Sequence, residues 1–311
     1  MRIAIHLSIS DAEQQIREAL GGMDIIRVPR EGDIPDVIEA DVLLTLGYRA
    51  DNVAQVIANC RGLRWIHVYG TGIDDFPLHC VGDRVLSCSR GVSTIPISEW
   101  VLAMMLAYEK RLPESWVNEQ PEQWSTAQLG TLYGKTLGLI GLGTIAQGVV
   151  ARAQGFGMNI VASVRHFRPS PIEEVKILES MVDVLAQADH LVLTLPSTLE
   201  NRKLFNRDLF AKMKPGVHII NIARGDIIDQ EDLLAALDAG QVGFASLDVV
   251  DPEPLPTGHP LYNHARVKVS PHISWSYPEA RALLQQNFLN NLAAFTAGEE
   301  LTGVVNVEAG Y

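Results

Sequence analysis

Short apolar runs recur along the chain and alternate with segments whose apolar positions repeat at helical spacing. In the first hundred residues, Arg2–Ile5, Val42–Leu46 and Leu63–Val68 predict strands, and Ala12–Leu20 and Asn52–Ala58 predict helices. Ser98 to Leu112 reads as a long apolar helix with Ser98 as its candidate cap and Pro113 limiting its end. A polar loop with Trp116, Pro121 and Trp124 follows. A second series then places strands at Leu137–Ile140, Ile160–Val164, His190–Leu195, Val217–Asn221, Phe244–Val249 and Val267–Ser270, mostly joined by helical segments. Such alternation predicts parallel sheets with helices on both faces.

A last helix, Pro278 to Ala297, is long enough to return to the first domain. The expectation is therefore an α/β chain of two Rossmann-like, doubly wound parallel-sheet domains with the active-site cleft between them. Residues 1–98 and 277–311 would form a discontinuous substrate domain, and residues 99–276 a dinucleotide-binding domain.

The most specific local signal is Thr136-Leu-Gly-Leu-Ile-Gly-Leu-Gly-Thr-Ile-Ala146. A short strand runs into Gly141, Gly143 and Ala146, and a helical pattern follows from Gln147 to Gly155. This order lets backbone amides approach a pyrophosphate at a helix N-terminus, while the small third residue permits close helix–strand packing. Glycine turns are common, so the string gains force only from its flanking strand and helix. Thr144 and Ile145 open the helix and belong to the same candidate cofactor site.

The chain has 311 residues, 47% of them hydrophobic, enough for about two domains with buried cores. A formal net charge of −12 argues against nucleic acid or an anionic membrane as partner. Cys60, Cys80 and Cys88 show neither zinc-like spacing nor an even count, which fits reduced cysteines in the cytoplasm and no metal site. The start, Met1-Arg2-Ile-Ala-Ile-His6, reads as a strand rather than a signal peptide.

Ligands of open α/β sheets bind beyond the carboxyl ends of the strands. Arg224 and His272 follow predicted strand ends, and Asp248 and Glu253 lie at and beyond the end of the strand from Phe244. A guanidinium can hold a substrate carboxylate through paired hydrogen bonds. A histidine oriented by a carboxylate can pass a proton to a carbonyl oxygen as hydride reaches its carbon. Each residue also has a plainer role: a surface ion pair for Arg224, a solvated loop position for Glu253 between two prolines, a structural ring for His272.

In sequence the chain resembles the D-isomer-specific 2-hydroxyacid dehydrogenase family over nearly its whole length. The matching segments are Gly134 to Gly143, Asn221-Ile-Ala-Arg-Gly225 with Ile228-Asp229, Asp248-Val-Val-Asp-Pro-Glu-Pro-Leu-Pro256 with His259-Pro260-Leu261, and Ser270-Pro-His-Ile273. The resemblance implies an NAD(P)-dependent oxidoreductase that acts on the CH-OH group and reduces a small 2-oxo acid, glyoxylate or hydroxypyruvate or a bulkier one, to the (R)-2-hydroxy acid. It implies that Arg224 binds the substrate carboxylate, that His272 paired with Glu253 is the acid/base, and that Asp248 contacts the nicotinamide end. It further implies that Gly70, Thr71 and Gly72, within Tyr69-Gly-Thr-Gly-Ile-Asp74, offer amides to the substrate, that Pro196 lines the cofactor cleft, and that the protein is a homodimer through the cofactor domain.

Several positions depart from the family. Ser274-Trp275-Ser276-Tyr277 replaces smaller residues, so Trp275 either lines the substrate pocket or packs between domains. Leu46, beside Tyr48 and Arg49, stands where phosphoglycerate-type members carry arginine, which disfavours a phosphorylated substrate. Nothing resembling a regulatory domain follows the last matching segment, which argues against the long phosphoglycerate dehydrogenases. A different class remains open, a non-enzymatic dinucleotide-sensing scaffold like the family's corepressors.

NAD enzymes usually place a carboxylate about 20 residues past the glycines, on the ribose 2′-OH. Val164 occupies that position here, and Arg165 and Arg168 follow it. The missing carboxylate removes repulsion toward a 2′-phosphate, and Arg165 can bind one, although such arginines can also be solvated loop residues. NADP(H) is therefore expected over NAD(H).

Overall fold

A computed structural model describes residues 1–7, 16–47, 52–124 and 127–310. The chain divides into two compact units, Met1–Val92 with Tyr277–Tyr311, and Ser93–Ser276.

The first unit contains β1 (Arg2–His6), β2 (Asp24–Arg27), β3 (Ile38–Glu39), β4 (Val42–Thr45), α1 (Val53–Asn59), β5 (Cys60–Arg61), β6 (Trp65–Val68) and β7 (Val85–Cys88). Five strands form a sheet in the order β2-β1-β4-β6-β7, and β3 pairs with β5 separately. Every pairing is parallel. Successive side chains of a strand point to opposite faces, and both faces are covered. Ala4, Leu43 and Ile66 join one apolar cluster, whereas Ile3, Ile5, Leu44 and Trp65 join another. This two-sided burial explains why the strands read as unbroken apolar runs.

The second unit opens with α2 (Thr94–Lys110), β8 (Thr136–Ile140), α3 (Thr144–Ala153), β9 (Asn159–Ser163), β10 (Val175–Ile177) and α4 (Met181–Gln187). It continues with β11 (His190–Leu193), α5 (Arg207–Phe210), β12 (Val217–Asn221), α6 (Gln230–Asp238), β13 (Val242–Leu247) and β14 (Val267–Val269). Its seven strands lie in the order β10-β9-β8-β11-β12-β13-β14, all parallel. Counted within the unit, the first six follow the doubly wound 3-2-1-4-5-6 order, whose reversal falls between β8 and β11. Leu137 and Leu139 face one core with Val192 and Ile220, while Ile140 faces the other with Leu191, Leu193 and Ile219.

The final helix, α7 (Ala280–Ala297), belongs to the first unit, where Phe288 stacks on Trp65 at a centroid distance of 5.6 Å.

Several expectations need correction. The helix expected from Ser98 begins at Thr94, and Ser98 does not cap it; its hydroxyl donates to the Ile95 carbonyl (2.9 Å) inside the helix. The early start moves the first boundary between units from 98/99 to Val92/Ser93. Glycine explains the placement: a Cβ at Gly148 of α3 would come within 2.6 Å of Thr94 Cγ2, so the first turn of α2 packs directly on α3. Strands β2, β3, β5, β7 and β10 were not anticipated. The helix expected at 12–20 is helical over 16–19, and its first part lies outside the described residues, as do Tyr48 and Arg49.

Among the described residues no helix is long and apolar enough to cross a membrane.

Candidate active site

Because the sheet of the second unit is wholly parallel, the carboxyl ends of its strands share one rim. Gly141 follows β8, Arg165 follows β9, Pro196 follows β11, Arg224 follows β12, and Asp248 and His272 follow β13 and β14.

At the head of this rim, Gly141 takes φ +100°, which L side chains rarely adopt, and donates to the Ser163 carbonyl (2.9 Å). Thr194 locks the turn from the next strand, its hydroxyl lying 2.9 Å from the Ile140 carbonyl and 3.1 Å from that of Gly141. A Cβ on Gly141 would lie 2.9 Å from the Thr194 hydroxyl. Gly143 differs. Its φ of −80° suits any residue, and a Cβ there would meet no protein atom within 4 Å. Neither backbone nor packing demands this glycine, which fits a demand from a ligand on that side. No side chain caps α3, so the first amides, including those of Thr144 and Ile145, keep their donors for an anion. Ala146 is fully buried, as a tight helix–sheet contact requires.

Farther along the rim, His272 Nδ1 lies 2.9 Å from Glu253 Oε2. A carboxylate can only accept, so Nδ1 carries the proton of this bond and Nε2 is left to exchange one with a substrate. Val250 N donates to the other Glu253 oxygen (3.3 Å). Partial burial works to raise the Glu253 pKa, but the hydrogen bond and charge of His272, the Val250 amide and the Arg224 charge outweigh it. The carboxyl therefore stays ionised below the usual glutamate range.

His272 sits at φ +55°, a conformation that costs a non-glycine residue about 1–3 kcal/mol. The surrounding bonds impose it. Its amide lies 2.9 Å from both the Asp248 and Ser270 carbonyls, and Trp275 Nε1 donates to its carbonyl (2.9 Å). The Asp248 side chain, within a residue only 1% exposed, accepts from Ser270 Oγ and from the amides of Ile273 (2.9 Å) and Ser274 (3.0 Å). The Asp248 carboxylate thus braces the loop that carries His272. Trp275 is 37% exposed and ties down the same loop through its indole N–H.

Arg224 caps a 3-10 turn, Gly225–Ile227, and Asn221 shapes the approach by donating to the Arg224 carbonyl (2.8 Å) and accepting from Ala223 N (3.0 Å). A Cβ on Gly225 would lie only 2.0 Å from the Val250 carbonyl carbon. The loops of Arg224 and Glu253 thus touch backbone to backbone, and only glycine permits it.

In the first unit, Ser89 N donates to the Gly70 carbonyl (2.9 Å) and Thr71 Oγ1 to the Ser89 carbonyl (3.3 Å). A Cβ on Gly47 would lie 2.2 Å from the Gly72 carbonyl oxygen, so β4's exit and the 70–72 loop pack through glycine. Leu46, just before it, is buried.

Residues that sequence reading passed over also shape the rim. Thr194, Ser270 and Asn221 lie within or beside the quoted segments, and their spacing to strand ends was a usable signal. Asn201 donates to the Pro196 carbonyl (2.8 Å) and so closes the turn after β11. Glu200 pairs with Arg165 at 2.9 Å across 35 positions, a distance in sequence that hides the contact.

The sequence model of the D-isomer specific 2-hydroxyacid dehydrogenase NAD binding domain matches residues 102–274, and the chain belongs to that family. The D-3-phosphoglycerate dehydrogenase of Mycobacterium leprae is 34% identical over 279 residues, covering 88% of this chain and 52% of that protein. The chain thus spans about half the length of the phosphoglycerate dehydrogenases it matches. The glyoxylate reductase of Thermococcus gammatolerans is 31% identical over 294 residues, covering 90% of this chain and 87% of that one. Among solved structures, the NADPH-dependent glyoxylate/hydroxypyruvate reductase of Sinorhizobium meliloti, in complex with NADP and sulfate, superposes with a TM-score of 0.83 at 25% identity, covering 100% of this chain and 99% of that one.

Proposed function

We propose that the protein reduces a small 2-oxo acid to the (R)-2-hydroxy acid with NADPH. The carrying observation is the hydrogen-bonded pair of His272 and Glu253 beside Arg224, at the rim that holds the glycine turn. When bound, the dinucleotide supplies the hydride. Arg224 holds the substrate carboxylate by charge and paired hydrogen bonds, which fixes the oxo carbon in place. His272 Nε2 gives its proton to the carbonyl oxygen as hydride arrives at carbon. Glu253, ionised, stabilises the imidazolium before transfer and fixes the ring tautomer. Asp248 and Trp275 act through the loop beneath His272, and Trp275, partly exposed, also borders the substrate. Gly70, Thr71 and Gly72 carry backbone N–H groups of the kind that suit a carboxylate.

Val164 packs against the core of the second unit, so the end of β9 presents no carboxylate, and Arg165 beside it is exposed. This supports NADPH over NADH. The glyoxylate and hydroxypyruvate reductases among the relatives favour those two acids as substrates. Steady-state rates for glyoxylate, hydroxypyruvate, pyruvate and branched 2-oxo acids, each with NADPH and NADH, test the reading. A higher kcat/KM with NADH, or no turnover of any acid, would overturn the corresponding part.

Arg224→Ala should chiefly damage use of the oxo acid, lowering kcat/KM by about 3–5 kcal/mol in transition-state binding. A defect confined to dinucleotide affinity would remove Arg224 as the carboxylate anchor.

The second unit also exposes Trp116 (67%), Trp124 (75%) and Tyr133 (77%), large aromatic side chains of the kind enriched at interfaces. They support a homodimer through this unit. Sedimentation should give twice the 34.1 kDa chain mass. A monomer at micromolar concentration would refute it.

A further inference from the structure

We propose, on the basis that Arg165 reads the 2′ position of the cofactor ribose, that Glu200 sets the protein's discrimination between NADP and NAD by competing for that arginine. Val164 leaves β9 without the carboxylate that NAD enzymes place at its end. The fold returns one from a different loop: Glu200 Oε2 lies 2.9 Å from Arg165 Nη2. The side chains are 75% and 50% exposed, so their ion pair is weak and easily broken.

The turn that presents Glu200 is firmly held. Asn201 N and Arg202 N both donate to the Thr198 carbonyl (2.9 and 3.1 Å), and Asn201 Nδ2 donates to the Pro196 carbonyl (2.8 Å). On its other side, Ser197 Oγ (2.7 Å) and Arg202 Nε (3.2 Å) both bond to Asp226 Oδ2, two residues past Arg224. Glu200 thus projects from a fixed turn rather than a loose loop.

The consequence is electrostatic. A 2′-phosphate carries about −1.5 to −2 charges and needs the guanidinium that Glu200 already holds. A ribose 2′-OH carries no charge and can donate to the Glu200 carboxylate instead. Glu200 therefore taxes NADP and spares NAD, which tempers the preference that Val164 and Arg165 create.

Calorimetric titration of the full chain with adenosine 2′,5′-bisphosphate and with 5′-AMP tests this without turnover. Glu200→Gln should tighten the bisphosphate about three- to tenfold, leave 5′-AMP unchanged or weaker, and lose most of its effect in about 0.5 M salt. The NADPH/NADH ratio of kcat/KM should rise in parallel. Arg165→Ala should weaken the bisphosphate alone and abolish the effect of Glu200→Gln in the double variant. If Arg165→Ala weakens the bisphosphate but Glu200→Gln changes neither ligand, or both equally, the role of Glu200 falls while that of Arg165 stands. If Arg165→Ala leaves the bisphosphate unaffected, both fall.

Discussion

His272→Ala should lower kcat by about two to four orders of magnitude while NADPH affinity stays nearly intact. The imidazole is the group placed to move a proton, with Nδ1 committed to Glu253 at 2.9 Å and no partner for Nε2 among the described residues. The groups proposed to hold the dinucleotide, Gly141 through Ile145 and Arg165, stand on other strand ends and do not depend on the ring. Alanine also meets the φ of +55°, so a second variant separates chemistry from backbone strain. Asn tolerates the left-handed region far better, and His272→Asn keeps the loop conformation without a titrating ring. Both variants should lose turnover alike and still bind NADPH, measured by quenching of protein fluorescence. Near-native kcat in either variant would exclude His272 as the proton donor. Recovery in the asparagine variant alone would assign the loss to the loop.

Mild acid should destabilise the fold well before the carboxylates titrate. His67 is fully buried between the Trp65 and Phe288 rings, with Nδ1 2.8 Å from Ser87 Oγ and Nε2 3.3 Å from Ser89 Oγ, and burial lowers its pKa to about 3. His6, between Thr45 Oγ1 and Asn52 Oδ1 at 2.9 Å each, falls to about 4, mainly through burial, with the Arg30 charge adding to it against the Asn52 bond.

In the second unit His218 is held well below the ordinary value by burial, by His190 and by Lys135. His190 Nδ1 lies 3.1 Å from His218 Nδ1, and its Nε2 lies 3.1 Å from Glu109 Oε1, near but not aligned for a hydrogen bond. Two rings this close cannot both be charged. In each of these three histidines the folded pKa is below the unfolded one, so the unfolded chain binds the extra proton as pH falls. Stability is then whole above about pH 6.5 and declines by about 1.4 kcal/mol per pH unit for each histidine, until the folded pKa is reached.

For His6 and His67 together the loss by pH 4 is about 6 kcal/mol, comparable with the whole stability of many domains. Urea unfolding at intervals between pH 7.5 and 4.5 should show a midpoint that falls steadily below pH 6.5. A midpoint constant across that range would mean that these rings protonate within the fold.

How much of the site could be read along the chain follows from how local each determinant is. Gly141 and Gly143 were legible because a glycine turn needs its residues in sequence with the strand and helix it joins. Arg224, Glu253 and His272 were legible because each follows an apolar strand closely, and a parallel sheet brings all such ends to one rim. Glu200 was not legible, since nothing near it in sequence marks it as Arg165's partner. The task of Asp248 was half legible: the motif named the residue, but only the loop folding back over it shows its carboxylate holding the amides of Ile273 and Ser274. Strand β10 and the true start of α2 were missed for a related reason. The pairing of β10 with β9 is made across distance, and Thr94 joins its helix because Gly148 of α3 lets it pack there.

Periodicity and turn chemistry are local, so the sequence alone determined the alternating α/β plan, the glycine turn and the residues that ring the rim. Register, close approach and charge pairing act across distance. The tertiary structure therefore decided which carboxylate meets Arg165, which glycines are demanded by packing, and which histidines are buried so deeply that folding lowers their pKa.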